Sequence, residues 1–394
     1  MAPTRTLAVI LAGGAGGRLE LLTHDRAKPA VSFAGSHRLI DFPLSNCLHS
    51  GLSDVWVVQQ FNPISLSDHL ANGRPWDLDR TVGGLLILQP RLGHDDRTGF
   101  QQGTADALWR NAPLIREFDP DALVVVSADA VYAFDYAALV AEHREAGADA
   151  TMVTVEVDPE DAGRYGVVQA EGGRVRGYAY KPDDPEGSLV ANEVFAFSPG
   201  PVLDALEELA RAAGDDGLDD LGDGLLPRLV DAGRVREHRF GGYWRDVGTV
   251  PAYWACHLEL LGADPPIDLD DPAWPILTHA PSHRAAARLL DGAETRDSLL
   301  APAARVAGTV ERSVVGRGAV VEAGAVVREC VLLPGAVVRA GAVVERAILD
   351  DGVEIGRDAR VGEAGGEIAL VGLRTSVRAG ARLPAGARHP AAED

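Results

Sequence analysis

The amino-acid sequence predicts an α/β fold in two parts, a Rossmann-like domain with a mostly parallel sheet followed by a left-handed parallel β-helix. Three observations predict it. Short apolar runs alternate with candidate helices over residues 1–260, a segment rich in Pro and Asp follows, and aliphatic residues then recur every six positions. We therefore predict an α/β domain over 1–260, a linker over 261–300 and a β-helix over 301–388.

Continuous apolar or β-branched runs in the first part are predicted strands. They cover residues 7–11, 55–58, 85–88, 123–126 and 151–155. Runs without polar interruption are typical of strands that are buried on both faces. Candidate helices at 105–118 and 136–146 lie between the strands, which is the alternation of a parallel sheet covered by helices.

The last part of the chain carries a six-residue period in two registers. One register consists of Val331, Val337, Val343, Leu349, Ile355 and Val361, and the other of Val314, Val320, Val326, Leu332, Val338 and Val344. A parallel β-helix needs this period, because each of its faces stacks one inward aliphatic side chain per coil. A low-complexity tail is disfavoured, since composition alone does not fix a phase.

Composition and charge narrow the classes of function. With 37 basic and 58 acidic residues, the net charge of −21 disfavours nucleic-acid binding, so an anionic ligand needs a locally basic site or a metal. No apolar run is long enough to span a membrane, and none resembles a secretion signal. Three widely spaced cysteines favour a reducing compartment, and we expect a cytoplasmic protein.

We expect His37, His49 and His69 to be ordinary polar or packing residues.

A glycine-rich loop follows the first predicted strand. Gly13, Gly14 and Gly16 would let backbone N–H groups approach phosphate oxygens, with the start of a helix adding positive potential. The loop is neither a P-loop, which would end in Gly-Lys-Ser/Thr, nor a dinucleotide fingerprint. Arg18 and Lys28 follow at a spacing that allows both to meet a triphosphate. The alternative is a glycine turn that only packs a helix on a strand.

Several long strings give the chain a resemblance to a known family. They are GGAGGRL at 13–19, RAKPAV at 26–31, RLIDFPLSNC at 38–47, GTADA at 103–107 and YWRDVGT at 243–249. Together with the β-helix, they resemble the ADP-glucose pyrophosphorylase (glucose-1-phosphate adenylyltransferase) family over essentially the whole chain. The resemblance implies that a sugar 1-phosphate attacks the α-phosphorus of a nucleoside triphosphate, with ATP as the expected nucleotide, and releases pyrophosphate with Mg²⁺ bridging the phosphates. It also implies a role in glycogen biosynthesis and a homo-oligomer, a tetramer.

The resemblance assigns roles to individual residues. It implies that Asp129 and Asp246 hold Mg²⁺, that Arg18 contacts the β- and γ-phosphates, that Lys28 helps to bind pyrophosphate and that Lys181 receives the sugar phosphate. The residue types fit this chemistry, because phosphoryl transfer needs cations and metal-holding carboxylates more than a covalent nucleophile. Asp129 also follows a predicted parallel strand, where such sheets place their ligands.

The nucleotide half of the site is predicted around the GTADA string. Gln89 and Gln102 flank the loop before Gly103 and Thr104, and in the resembling family this region faces the base and the ribose. An amide both donates and accepts hydrogen bonds, so it suits a base edge without distinguishing adenine from guanine.

The sugar half departs from the family pattern. Tyr180 stands where the family has Glu, and Ala191 and Phe195 stand where it has Ser and Tyr. We expect these residues to line a less polar sugar pocket in which the hydroxyls of glucose 1-phosphate lack partners. Two alternatives therefore stay open, namely a cyclitol-phosphate nucleotidyltransferase such as a valienol-1-phosphate guanylyltransferase, and a non-catalytic regulatory subunit of the same fold.

Overall fold

The computed structural model describes residues 4–90, 99–214, 217–279 and 285–391. The secondary structure of the N-terminal part is, in chain order, β1 (Thr6–Ala12), β2 (Ser32–Phe33), β3 (His37–Arg38), α1 (Asp41–His49), β4 (Asp54–Gln59), α2 (Pro63–Leu70), β5 (Gly84–Leu88), α3 (Thr104–Arg110), α4 (Ala112–Phe118), β6 (Ala122–Ser127), β7 (Ala130–Tyr132), α5 (Tyr136–Glu145), β8 (Ala150–Glu156), β9 (Gly166–Glu171), β10 (Arg174–Tyr180), β11 (Leu189–Phe197), α6 (Pro199–Ala213), α7 (Leu225–Asp231), β12 (Val235–Arg239), β13 (Trp244–Asp246) and α8 (Val250–Glu259).

A mixed sheet organises this part in the order β5-β4-β1-β6-β11-β8-β12-β10-β9. The pairs β5–β4, β4–β1 and β1–β6 are parallel, as predicted, whereas β11 is antiparallel to both of its neighbours β6 and β8. Helices α3, α4, α6 and α7 bury an apolar core on one face of the sheet, and α1, α2 and α5 bury another on the opposite face.

Each predicted strand lies within an observed one, but the predicted helix at 105–118 is wrong as a single helix. It is two helices, α3 and α4, that meet at Asn111. Pro113 has no N–H to donate to the preceding turn. The backbone N–H of Asn111 bonds to Leu108, and its side chain donates to the carbonyl of Ala107 at 2.8 Å. The stretch after the glycine loop is a 3₁₀ helix, Gly17–Thr23, and not an α-helix. Its backbone is non-helical at Glu20.

The C-terminal part is the predicted left-handed parallel β-helix, built from three parallel six-stranded sheets within the described residues. Its strands are β14 (Arg288–Leu289), β15 (Glu294–Arg296), β16 (Leu299–Leu300), β17 (Arg305–Val306), β18 (Thr309–Glu311), β19 (Val314–Val315), β20 (Val320–Val321), β21 (Val326–Arg328), β22 (Val331–Leu332), β23 (Val337–Val338), β24 (Val343–Glu345), β25 (Ala347–Leu349), β26 (Glu354–Ile355), β27 (Arg360–Val361), β28 (Ala369–Val371), β29 (Ser376–Val377), β30 (Arg382–Leu383) and β31 (Arg388–His389).

The predicted phase of the β-helix needs a correction. Val315, Leu332 and Leu349 stack in one sheet and lie 17 residues apart, so one step in each of these coils is five residues long instead of six. In each predicted register, the first side chains therefore point outward from the β-helix and the last ones point into its core. Val337 points outward and is half-buried, whereas Ile355, three steps later in the same register, is in the interior.

The β-helix sheets begin at Arg288, inside the segment that the sequence assigned to the linker. Residues 261–279 contain no helix or strand and lie against α1. Trp274 donates to Asn46 at 2.9 Å, and the backbone N–H of Leu277 donates to Ser45 at 2.9 Å.

One apolar core joins the two parts of the chain. Phe33, Phe42 and Tyr253 of the N-terminal part are buried together with the outward-facing Ile348 and Leu370 of the β-helix. Beside this core, the guanidinium of Arg26 donates to Asp350 at 2.7 Å. None of the helices in the described ranges is long and apolar enough to cross a membrane.

Candidate active site

A cavity of about 460 Å³ opens beside the carboxyl ends of β1 and β6. Most of the residues predicted from the sequence line it, namely Gly14, Gly16, Arg18, Lys28, Thr104, Asp129, Tyr180, Lys181, Ala191 and Phe195. The fold thus brings together in one place segments that lie far apart in the sequence. The location is the one in which open parallel sheets bind their ligands.

A lysine and an aspartate that line this cavity form a charged cluster with a second aspartate. The Nζ of Lys28 donates to Asp129 Oδ2 at 2.6 Å and lies 3.9 Å from Asp246 Oδ1. Asp129 follows β6, and the hydroxyl of Ser127 donates to its other oxygen at 2.5 Å. Asp246 ends β13, whose pairing with β7 sets it opposite Ala130 and beside Asp129.

The charges in this cluster depend on one another. Burial disfavours the charged form of Lys28, but the carboxylates of Asp129 and Asp246 outweigh it and raise the pKa of this lysine. Burial likewise opposes ionisation of Asp129, but the Lys28 ammonium outweighs it and lowers the pKa of this carboxyl. Burial and the Asp129 charge both raise the pKa of Asp246. Lys28 and Asp129 therefore form the ionised pair, and Asp246 holds its proton more firmly.

Two glycines allow the loops to approach this cluster. Gly16 has φ of 70°, and a Cβ on it would lie 2.9 Å from the Cβ of Lys28. A Cβ on Gly248 would lie 2.9 Å from Asp246 Oδ1 and 3.3 Å from a guanidinium nitrogen of Arg18. Since real Cβ atoms need more room than this, a larger residue at either position would displace a charged group of the site.

A second cavity of about 280 Å³ lies on the other side of the glycine loop. Gly13, Gly14, Gln102 and Gly103, four of the binding residues predicted from the sequence, line it. Gln60, which was not predicted from the sequence, also lines it. Its side-chain amide donates to the carbonyl of Gln101 at 2.9 Å and accepts from the N–H of Gln101 at 2.5 Å.

Gln89 is the predicted site residue that the fold does not bring to this place. It follows β5, is exposed and lines neither cavity. Thr104 has a structural partner, because its hydroxyl and its backbone N–H both donate to Asp220 Oδ1 at 3.1 Å. Asp220 thereby ties the start of α3 to the loop before α7.

The predicted sugar half contains a short chain of hydrogen bonds. Lys181 Nζ donates to the hydroxyl of Tyr180 at 2.6 Å, and that hydroxyl donates to Asp220 Oδ2 at 2.8 Å. Ala191 and Phe195 lie in β11 and form part of the apolar wall of the cavity. The hydroxyl of Tyr180 is therefore already engaged on both its donor and its acceptor side.

One carboxylate in this half was not predicted from the sequence. Glu193, between Ala191 and Phe195, lines the cavity. Loss of water around it raises the pKa of Glu193 to about 7, and the charges of Asp129 and Asp246 act in the same direction. Arg164 was also missed, and its guanidinium lies 3.4 Å from Asp246 Oδ2. Arg164 stands in no string that resembles a known motif. Glu193 lies between Ala191 and Phe195, which were compared with the family's sugar motif, so the sequence did offer a signal for it.

Comparisons with known proteins agree with this architecture. The Nucleotidyl transferase family matches residues 7–262, and a family described as GlmU-like, C-terminal hexapeptide matches residues 283–367. The fold and the cavity thus define a nucleotidyltransferase with a hexapeptide-repeat domain.

Curated relatives narrow the class further. The three described next are each named glucose-1-phosphate adenylyltransferase. The relative from Thermomicrobium roseum is 43% identical over 74% of this chain and 68% of its own length. Those from Thermotoga maritima and Acetivibrio thermocellus are 39% and 33% identical over 82% and 90% of this chain, and 76% and 83% of their own lengths. The chain belongs to the glucose-1-phosphate adenylyltransferase family of nucleotidyltransferases.

Proposed function

We propose that this chain condenses ATP with glucose 1-phosphate to give ADP-glucose and pyrophosphate, as a step of glycogen biosynthesis. One observation carries the proposal. Lys28 and Asp129 meet in a cavity that continues to Lys181 on one side and borders the Gln102–Gly103 loop on the other, and Asp246 lies 3.9 Å from the Lys28 nitrogen. The names of the relatives supply the choice of ATP and glucose.

The reaction joins the phosphate oxygen of the sugar 1-phosphate to the α-phosphorus and breaks the bond from that phosphorus to the β-phosphate oxygen. Lys181 binds the sugar phosphate, and Arg18 binds the β- and γ-phosphates that leave as pyrophosphate. Lys28 carries its charge at the point of transfer, because Asp129 keeps it protonated. These cations align the two anionic substrates and stabilise the charge on the leaving group.

The carboxylates suit a magnesium ion. Asp129 and Asp246 offer hard oxygen ligands, and no group of three or more metal-binding side chains occurs in the described part of the chain. Mg²⁺ is commonly held by one or two carboxylates and completed by substrate phosphates and water. We propose that Asp129 and Asp246 hold it. When bound, the ion neutralises phosphate charge and polarises the phosphorus that is attacked.

The sequence left a regulatory subunit and a cyclitol-phosphate enzyme as alternatives. Arg18, Lys28, Asp129 and Lys181 line one cavity, and Asp246 lies beside Lys28, which favours a catalytic chain over a regulatory one. The altered residue Tyr180 is bonded to Asp220 and Lys181, so its presence does not by itself indicate a cyclitol.

The proposal also covers the oligomeric state of the enzyme and its cellular compartment. We propose a homotetramer, as the family resemblance implies, and a cytoplasmic enzyme, because Cys47, Cys256 and Cys330 are buried and unpaired. Light scattering on the full chain tests the assembly. A monodisperse monomer at micromolar concentration would contradict it.

A screen for pyrophosphate release tests the activity. The full chain is assayed with Mg²⁺, each of the four common nucleoside triphosphates and a panel of hexose and cyclitol 1-phosphates. We expect ATP with glucose 1-phosphate to give the highest kcat/KM, about 10⁴ M⁻¹s⁻¹ or above. A higher value for a cyclitol phosphate, or no release with any pair, would overturn the proposal.

A further inference from the structure

Glu193 occupies an unusual place in β11. The strand pairs with β8 and β9 as far as Ala191 and with β6 and β8 from Val194 onward, with a slip in register between the two stretches. Glu193 lies in the slip with φ of 63°. A non-glycine residue in the left-handed region is strained, and residues held in this way are often found at functional sites. The slip aims its side chain into the cavity instead of the core.

The neighbouring charges do not neutralise Glu193. Among the described residues, no Lys or Arg nitrogen forms an ion pair with it within 4.0 Å. Lys28 is bonded to Asp129, and Lys181 is bonded to the hydroxyl of Tyr180. The hydroxyl of Ser127 is close enough to lower the pKa of Glu193, but its one proton is donated to Asp129 at 2.5 Å. A carboxylate has about four acceptor positions, so most of those on Glu193 stay open toward the cavity.

Among the described residues that line the sugar half, the other carboxylate, Asp220, is already engaged. The hydroxyl of Tyr180 is engaged on both sides, Asp220 accepts from Tyr180 and Thr104, and Phe195 contributes only apolar surface. A sugar ring in this half presents hydroxyl donors, and a site that leaves them unpaired binds the sugar weakly. The expectation of a less polar pocket overlooked this carboxylate.

We propose that Glu193 is the residue that selects the sugar, accepting hydrogen bonds from free ring hydroxyls of a hexose 1-phosphate. The substrate class is then a hexose 1-phosphate whose hydroxyls can donate, in preference to one whose hydroxyls are removed, fluorinated or acylated. This inference rests on the proposed function, because it places the sugar in the cavity that Lys181 and Asp129 line.

Deoxyfluoro analogues of glucose 1-phosphate test the contact, since fluorine replaces a hydroxyl but cannot donate. Pyrophosphate release is measured for wild type, Glu193→Gln and Glu193→Gly with each analogue. We expect wild type to lose about 10- to 100-fold in kcat/KM with at least one analogue, as for a lost hydrogen bond to a charged group. In Glu193→Gly, which also suits the left-handed backbone, the same analogue should lose less than about threefold.

The controls separate this inference from its rivals. Glu186→Gln alters an exposed glutamate bonded to Gln169 and should keep the wild-type profile. An equal penalty for every analogue in wild type and in both Glu193 variants would overturn the proposal. So would a rise in the Mg²⁺ concentration needed for half-maximal rate without a change in sugar preference, because Glu193 would then serve the metal. Wild type that is inactive with every hexose 1-phosphate contradicts the proposed function itself.

Discussion

Charged side chains are paired differently in the cavity and on the surface of the β-helix. On the β-helix surface, Arg328 lies 3.4 Å from Glu311 of one coil and 3.2 Å from Glu345 of the next, so charge is balanced within the ladder. In the cavity, no Lys or Arg of the described residues forms an ion pair with Glu193 within 4.0 Å, and Lys28 acts on it from farther away. Lys181 donates to the neutral hydroxyl of Tyr180. Glu193 and Lys181 therefore keep hydrogen-bonding capacity for a ligand that the ladder of the β-helix uses within itself.

The two regions also differ in how their apolar residues are used. Val321, Val338 and Ile355 stack through the centre of the β-helix, each on the residue one coil earlier. This repetition gives stability from nearest-neighbour contacts. Its outward Ile348 and Leu370 face the N-terminal domain, so one side of the β-helix also supports the domain that holds the cavity.

The largest effect we expect is the loss of activity in Asp129→Asn. The change removes the charge that keeps Lys28 protonated and one proposed metal ligand, so kcat should fall by at least about 100-fold with unchanged thermal unfolding. Steady-state pyrophosphate release and a melting curve measure both quantities. Asp183→Asn, at an exposed position, is the matched control. Activity of the Asp129 variant within about twofold of wild type would refute the assignment.

In the β-helix, truncation of a core side chain should lower the free energy of unfolding and leave kcat unaltered. Ile355→Ala removes a fully buried side chain and should cost about 2 to 5 kcal/mol in the free energy of unfolding. Val337→Ala, in the predicted register but outward and half-buried, should cost less than about 1 kcal/mol. Denaturant unfolding of both variants tests the corrected phase. Equal losses would show that the phase is wrong.

A smaller effect is expected at the junction of the two domains when the pH falls. His257 is fully buried, accepts from the N–H of Ala34 at 3.0 Å and donates to the carbonyl of Tyr253 at 2.8 Å. Burial lowers the pKa of His257 to about 4. The unfolded chain therefore takes up a proton first, and stability contributed by His257 is lost as the pH falls from about 6.5 toward 4, by up to about 3 kcal/mol.

Nuclear magnetic resonance of the His257 imidazole and unfolding curves over this pH range check the effect. His257→Gln should flatten the dependence of the unfolding free energy on pH. A folded-state pKa near 6.5, or the same pH dependence in wild type and variant, would contradict the account.

The sequence predicted the parts of the site that depend on local strings or on the ends of buried strands. Lys28 belongs to such a string and Asp129 follows such a strand, and the fold brings them together. Glu193 was missed because its direction depends on a slip in β11 that arises from pairing with β6, β8 and β9. The phase of the β-helix was missed for a similar reason, since a five-residue step is invisible until Val315 and Leu332 are seen stacked.

Transfer of label from ATP tests the central claim most directly. Wild type is mixed with Mg²⁺, glucose 1-phosphate and ATP carrying ³²P at either the α- or the γ-position, and the products are separated after a single turnover. If the sugar phosphate attacks the α-phosphorus, the α-label is found in ADP-glucose and the γ-label in pyrophosphate. Appearance of the γ-label on the sugar, or α-label only in AMP or ADP, would show that this cavity catalyses a different phosphoryl transfer.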